Sequence, residues 1–555
     1  MTELLVVIVT ALVVIAAATV AGPRLGIAAP LVLVAIGVGA SFLPVFAGVH
    51  IEPEWILQGV LPPLLYSSAV SMPAMNFRRE FGAISGLSVV LVVASALLLG
   101  LFFSLVVPGL GFAWGVALGA IVSPTDAVAT SIIKQTSVSR RVVAMLDGES
   151  LLNDATALVL LRTATTATAL SFSFWGAVGS FAYSVAVAAV LGWAVGSLNL
   201  LVRKRVTDPT VNTVISFAVP FAASVPAELL GASGLVAAVV AGLVTGIFAP
   251  RMLSPQNRLS DGQNWRTVEL VLEGAVFLTM GVQIKSIVTS VENDHAGVGT
   301  AVLVACGALV LTVLVRAAYV APLLASLSAR SRRIGPMRAR MQEMQERMAT
   351  PEGRRETFRE ANPRSRRKAS ERTLDRFAFR VTQAVADLEY FRRAPLGWRE
   401  GTAVVWAGMR GAVTVAAAQS LPDHTPQRSV LVLVAFAVAA LSLVVQGGTI
   451  GPLLRRIAPE VDQAAVAVQA EAEQARIVEL LRTSTESVPE PPPAEPRQEA
   501  FVVAKEHRLA VIEAQRSALL DARDNGTFDA ELLERALANL DASQIAIEMR
   551  GSIAV

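Results

Sequence analysis

An all-α polytopic membrane protein is the fold class this chain predicts, on three observations. Of its 555 residues 54% are hydrophobic and only 16% charged, with a mean hydropathy of +0.57, too apolar for a soluble domain of that length. The apolar residues fall in runs that approach or exceed about 18 residues, enough to cross a hydrocarbon core about 30 Å thick. Basic and acidic residues alternate from one connection to the next, as the positive-inside rule demands of a chain that crosses repeatedly.

The expected apolar segments number about thirteen, at 3–21, 27–47, 54–72, 83–107, 111–133, 142–165, 173–202, 210–226, 229–249, 266–288, 298–328, 401–421 and 427–453. The opening run lacks a basic n-region and an A-x-A site, so it reads as a first transmembrane helix and not a cleaved signal. An odd number of crossings puts the termini on opposite sides. Odd-to-even connections carry Arg24, Arg78 and Arg79, then Lys134, Arg140 and Arg141, then Arg203, Lys204 and Arg205, then Arg251 and Arg258. The alternate connections carry Glu52, Glu54, Glu228, Glu292, Asp294 and Asp423, with Lys285 and Arg428 as the basic exceptions. The expected topology is a multi-pass protein of the inner or plasma membrane, N-terminus outside and C-terminus cytoplasmic.

Several features punctuate these segments. Pro62 and Pro63 interrupt the third, where they free backbone carbonyls and kink the helix. The lone cysteine, Cys306, lies in an apolar run and reads as small core filler. The domain reading is a transmembrane domain over 1–456 that carries an arginine-rich cytoplasmic insert at 329–398. A helical cytoplasmic tail over 457–555 follows, broken by a proline-rich linker at 488–496.

The stretch with chemistry is 122–163. A carboxylate at the centre of a membrane helix costs about 2.5–3.5 kcal/mol on insertion scales, so one that is present is a functional candidate. Pro124 breaks the fifth segment beside Thr125 and Asp126, exposing carbonyl oxygens and helix-dipole ends at mid-membrane. Ser123 and Thr125 can re-satisfy freed backbone groups there. In the sixth segment Ser150 and Asp154 are one turn apart, as are Glu149 and Asn153. At ~100° per residue the four share one broad polar face that must look into a bundle or a wet cavity.

These are hard oxygen donors, suited to a small hard cation such as sodium or lithium and not to zinc or copper. His50, His295 and His424 fall in or near loops and His507 in the tail, so no His/Cys cluster supports a transition metal. The region lacks a nucleophile–histidine pair, and the chain lacks a phosphate-binding P-loop. The expectation is a secondary transporter, not an enzyme, with no cofactor and no nucleic-acid partner. A desolvated carboxylate holds either a proton or a cation, and competition for Asp154 suffices for exchange.

A mirrored element stands in the twelfth segment, where Gly408 and Gly411 flank Arg410 in an apolar run. Inverted repeats would pair this segment with the fifth, and the glycine spacing favours another break or a close backbone approach here. Arg410 is then expected to compensate helix ends or to pair with Glu149. Arg316 in the eleventh segment is a second buried cation, with Glu273 of the tenth as its expected partner.

Four motifs resemble those of the monovalent cation/proton antiporter family, which holds bacterial and archaeal sodium/proton antiporters and animal sodium/proton exchangers. They are LPPLLY at 61–66, SPTDAVA at 123–129, GESLLNDATALVL at 148–160 and GMRGAV at 408–413. GASGLVAAVVAGL at 231–243 and FLTMGVQI at 277–284 support them, and the resemblance spans roughly 55–455. It implies a core domain with two crossed discontinuous helices at its centre, a dimerisation domain and hence a homodimer. It makes Asp154 the main ion- and proton-carrying carboxylate, with Asp126, Thr125 and Ser150 completing a Na+ site. Glu149 and Asn153 would link to Arg410 and gate access.

Related electrogenic antiporters look like carriers of a second aspartate where Asn153 stands, and asparagine does not titrate. The expectation is therefore electroneutral exchange of Na+ or Li+ for H+ by alternating access, regulating internal pH and sodium. Potassium/proton exchange is the alternative in the same class. A cation channel, or an ion- or pH-sensing membrane protein, is the alternative from other classes.

Overall fold

The computed structural model describes residues 2–549 apart from 26, 45–51, 135, 137, 170–173, 295–296, 333, 349, 362–369, 395, 458–462 and 492–496. The core of the expected proline-rich linker and parts of the insert thus lie outside the described residues. Among those described, every regular element is a helix. They form two compact units: 1–253 with 259–324 and 398–459, and 254–258 with 325–397 and 460–555.

The first unit opens with α1 (Thr2–Leu25) and α2 (Ala29–Ala40). A π-helical turn at Trp55–Val60 then leads into α3 (Leu61–Ser71). Pro62 and Pro63 sit in the first turn of α3, where their missing amides cost the helix least, and the π turn before them absorbs the misfit. The next helices are α4 (Ala74–Ser85), α5 (Val92–Val106), α6 (Phe112–Val122), α7 (Val128–Ile133) and α8 (Arg140–Ala169). After them run α9 (Phe174–Arg203), α10 (Pro209–Leu229), α11 (Gly234–Met252), α12 (Pro255–Val282), α13 (Ile284–Asn293) and α14 (Val298–Arg332).

Eight helices among the described residues are long and apolar enough to cross a membrane, and shorter apolar helices, α2 and α6, stand beside them. Small residues let these helices approach closely. A Cβ on Gly119 of α6 would stand 2.3 Å from the carbonyl oxygen of Ala96 on α5, and one on Gly115 would stand 2.4 Å from that of Gly100. That contact anchors α6, the half-helix that leads into the break at Pro124.

In the second unit the insert contributes α15 (Ile334–Arg347), α16 (Pro351–Ala361) and α17 (Glu371–Arg393). Returning to the first unit, the chain adds α18 (Trp398–Trp406), α19 (Ala412–Gln419), α20 (Arg428–Ser442) and α21 (Gly448–Ile457). The tail completes the second unit with α22 (Gln463–Glu486), α23 (Arg497–Asn525) and α24 (Ala530–Met549). Its apolar stripes bury Ile477, Ile512, Leu519, Phe528, Leu533 and Leu540 against one another. Insert and tail meet directly, since Gln383 Nε2 of α17 donates to the Asp524 carbonyl at 3.1 Å.

Three local expectations change. Arg141 and Arg203, counted as loop charges, are both buried. Arg141 pairs with Glu80 at 2.7 Å, and Arg203 pairs with Asp261 at 2.9 Å and bonds Asn212 and Ser216. An arginine just inside a helix end turns inward where an acid waits. Cys306 is exposed on α14 and not core filler, because its helix turns that apolar face outward.

Candidate functional site

Two interrupted helices meet at the centre of the first unit. One is α6 and α7 with residues 123–127 unwound between them, and the other is α18 and α19 with 407–411 between them. Pro124 supplies no amide to continue α6, so the chain leaves the helix there. Asp126 restarts it, its Oδ1 accepting from Val128 N at 2.9 Å. The two breaks are tied by backbone, with Asp126 N donating to the Met409 carbonyl at 2.7 Å.

Freed carbonyls need donors, and Arg410 brings them. Its Nε donates to Val122 O at 2.9 Å and its Nη2 to Ser123 O at 3.4 Å, while Nη1 reaches the Gly408 carbonyl. Ser442 of α20 steadies the same residue by accepting from Arg410 N at 2.8 Å and donating to its carbonyl at 3.2 Å. Arg410 thus compensates the helix ends of both breaks. The expected alternative, a pair with Glu149, is not formed: each of its three guanidinium nitrogens donates to a carbonyl, and Glu149 is held by Arg316. Nor does Ser123 serve the break, since its hydroxyl donates to Val92 O of α5 at 3.1 Å.

Glu149 belongs to Arg316. The two form a fork, Nη2 to Oε2 at 2.7 Å and Nη1 to Oε1, with both side chains at most 3% exposed. Arg316 Nε also donates to the Val404 carbonyl at 2.9 Å. This corrects the expected pairing of Arg316 with Glu273, since α8 brings Glu149 to Arg316 and α12 turns Glu273 elsewhere. Thr125 extends the fork by donating to Glu149 Oε1 at 3.2 Å. Asn153 Nδ2 then donates to both Thr125 Oγ1, at 2.8 Å, and Thr125 O, at 3.1 Å. Glu149 and Asn153, one turn apart, therefore clamp the broken helix to α8 and α14. Neither links to Arg410 as expected.

Ser150 and Asp154 look the other way along α8. They line a cavity of about 120 Å³ together with Asp126, Thr125, Glu273 and Thr414. Asp154 is 9% exposed and, among the described residues, makes no hydrogen bond or ion pair. Ser150 Oγ donates to the Asp147 carbonyl at 3.0 Å, which leaves its lone pairs for a cation. A water's share of liquid volume is about 30 Å³, so several waters or a part-hydrated ion fit. Asp126, Asp154, Ser150 and Thr125 thus face one space with hard oxygens, and the donor set fits a small monovalent cation.

A family model described as the transmembrane sodium/hydrogen exchanger matches residues 8–341 and 377–456. The chain belongs to the sodium/hydrogen exchanger family. An uncharacterized Na+/H+ exchanger of Mycobacterium tuberculosis is 27% identical over 459 residues, 81% of this chain and 74% of that protein. The sodium, potassium, lithium and rubidium/H+ antiporter of Bacillus subtilis is 29% identical over 278 residues, 48% of this chain and 41% of that protein. The solved sodium proton antiporter MjNhaP1 of Methanocaldococcus jannaschii is 15% identical with a TM-score of 0.56, covering 82% of this chain and all but 1% of the other's residues at 99%. That likeness shows a common fold.

In this exchanger the motifs at 123–129, 148–160 and 408–413 all converge on the crossing of the two breaks. Two cavity residues, Thr414 and Glu269, escaped the reading of the sequence, and Glu273 was read there only as a partner for Arg316. Thr414, 1% exposed, sits in the first turn of α19, and an intramembrane threonine carries little signal of its own. Glu269 and Glu273 lie four apart on α12 and both line the cavity. That spacing was the available signal, since two acids on one helix face seldom both look at lipid.

Proposed function

We propose that this sodium/hydrogen exchanger swaps one Na+ or Li+ for one H+ at Asp154 by alternating access. The observation that carries this reading is a carboxylate nine-tenths buried, without a partner among the described residues, beside two helix breaks joined through backbone. At such a carboxylate a proton and a cation compete for the same oxygens. The crossing of the breaks supports two inverted halves that rock about the site. Asn153, a non-titrating donor to Thr125, supports one exchangeable charge per cycle and so electroneutral transport. In the proposed orientation the C-terminus is cytoplasmic and the protein, as a homodimer in the plasma membrane, regulates internal pH and sodium.

Potassium is the second reading, because a relative in Bacillus subtilis carries it in its name alongside sodium, lithium and rubidium. Proton-coupled flux in proteoliposomes, scanned over Na+, Li+ and K+ across pH, tests both readings. Saturable exchange is expected, with Asp154→Asn inactive. Undiminished exchange by Asp154→Asn overturns the assignment, and conductive flux uncoupled from protons would mark a channel.

A further inference from the structure

A carboxylate ladder climbs from the cavity along one face of α12. Glu273 lines the cavity with Asp126 and Asp154, and Glu269, one turn earlier, lines it as well. Glu269 Oε2 accepts from Ser67 Oγ of α3 at 3.1 Å, and Lys134 and Asp147 act on its charge. Those two form an ion pair at 3.0 Å, with Lys134 half exposed, so the ladder ends at a solvent-accessible rim. The charges that act on Glu273 itself are Asp126 and Glu269, and Asp154 shares its cavity. Its other neighbours there, Ser68 of α3 and Thr414 of α19, are neutral, and α1 meets the adjoining Gly274 with apolar Ile15.

Glu273 makes no hydrogen bond or ion pair among the described residues. Arg316, its expected partner, is held by Glu149. The cavity it lines also holds Asp154, nine-tenths buried and equally unpartnered, which is the mark of a space that receives a ligand. Among the described residues no three His, Cys, Asp or Glu converge as a metal chelate. Glu273 thus shares the space around Asp154 without joining a three-acid cluster there.

Resting on the exchange reading above, we infer that Glu273 is a working carboxylate of the ion path, placed between Asp154 and the Lys134–Asp147 rim. As a cation reaches Asp154, the proton on its carboxyl passes through cavity water to the Glu273 carboxylate. Glu273 then gives it to Glu269, and Glu269 gives it to water at the rim. Each step breaks one O–H bond and forms one, and the charge of the arriving cation balances the proton that leaves. In the reverse half-cycle the negative charge of Glu273 draws cations inward.

The test compares Glu273→Gln, Glu273→Asp and Glu269→Gln with the unaltered protein in proteoliposomes. Removing one negative charge weakens proton affinity at Asp154 and Asp126, so the pH profile of Glu273→Gln is expected to move about one unit toward acid. The same loss raises KM for sodium several-fold. Glu273→Asp restores most of both values, and Glu269→Gln shows a smaller shift. Glu273→Ala replaces the glutamine variant if the amide does not insert. A wild-type pH profile and KM in the charge-removed variant overturn the inference while leaving Asp154 as the site. Full exchange by Asp154→Asn sinks the site reading itself, whatever Glu273 does.

Discussion

A side chain on Gly411 and the carboxylate of Asp126 cannot coexist: a Cβ built on Gly411 falls 1.4 Å from Asp126 Oδ2. The backbone of Gly411 is extended, so space and not conformation requires glycine there. Each break of the crossed pair is thus shaped by the other. The acid of the first fills the hole left by the missing side chain of the second.

Gly411→Ala must push Asp126 out of the cavity wall. Misplacing a binding group by about 1 Å can cost on the order of a hundredfold in rate, and exchange is expected to fall that far while the protein still inserts. Gly82→Ala is the control, because a Cβ there meets nothing within 4 Å. Initial rates of sodium-driven proton flux decide. Equal rates in the two variants would contradict the interlock.

The Glu149–Arg316 fork predicts a stability pattern. Breaking a buried pair by removing one partner costs about 3–5 kcal/mol, because the other charge stays buried alone. Glu149→Gln and Arg316→Met should each lower the melting temperature of the detergent-purified protein sharply. The double variant should melt above either single one. Additive losses would show that the two do not act as a pair.

Asn153 holds Thr125 by donating twice, and an ionised aspartate donates nothing. Asn153→Asp is therefore expected to lose stability, by about 1–3 kcal/mol for a buried acceptor left unmatched. It should not gain a second transported charge, since it can replace the lost donor only by keeping its proton. Flux under an imposed membrane potential, at zero pH gradient, is expected to stay insensitive to voltage in both proteins. A voltage-driven flux in the unaltered protein would refute electroneutral exchange.

Asp208 starts α10 by accepting from Val211 N and Thr210 N, and those amides hold its carboxyl below the usual carboxylate range. A lowered folded pKa means the cap's contribution is present above about pH 4 and is lost as pH falls through the folded value. The protection factors of the first-turn amides of α10, taken against their intrinsic exchange rates at each pH, should therefore fall at acid pH. In Asp208→Ala these amides should be little protected throughout, with little change in sodium flux.

How much of this was legible in the chain follows from the range of each cause. Pro124 removes an amide, so the break in the fifth segment could be read directly. The shared face of Ser150 and Asp154 is equally local, a consequence of one helical turn. Segment positions came from run length, because lipid satisfies no backbone group and forces helices wherever an apolar run is long enough. The partners of the charges were not readable. Arg316 could pair with Glu149, 167 residues away in sequence, or with Glu273, and composition offers no preference.

By itself, then, the sequence determined an all-helical membrane protein, the interruption at Pro124, and Asp154 with Ser150 on one polar stripe, since sterics and hydrophobic length act within a few turns. Only the tertiary structure decided that Arg410 serves carbonyls, that Glu149 answers Arg316, and that Glu273 is left facing the cavity. Electrostatic pairing depends on distance in space, and the packing of α8, α12 and α14 fixes which acid comes within reach of which arginine.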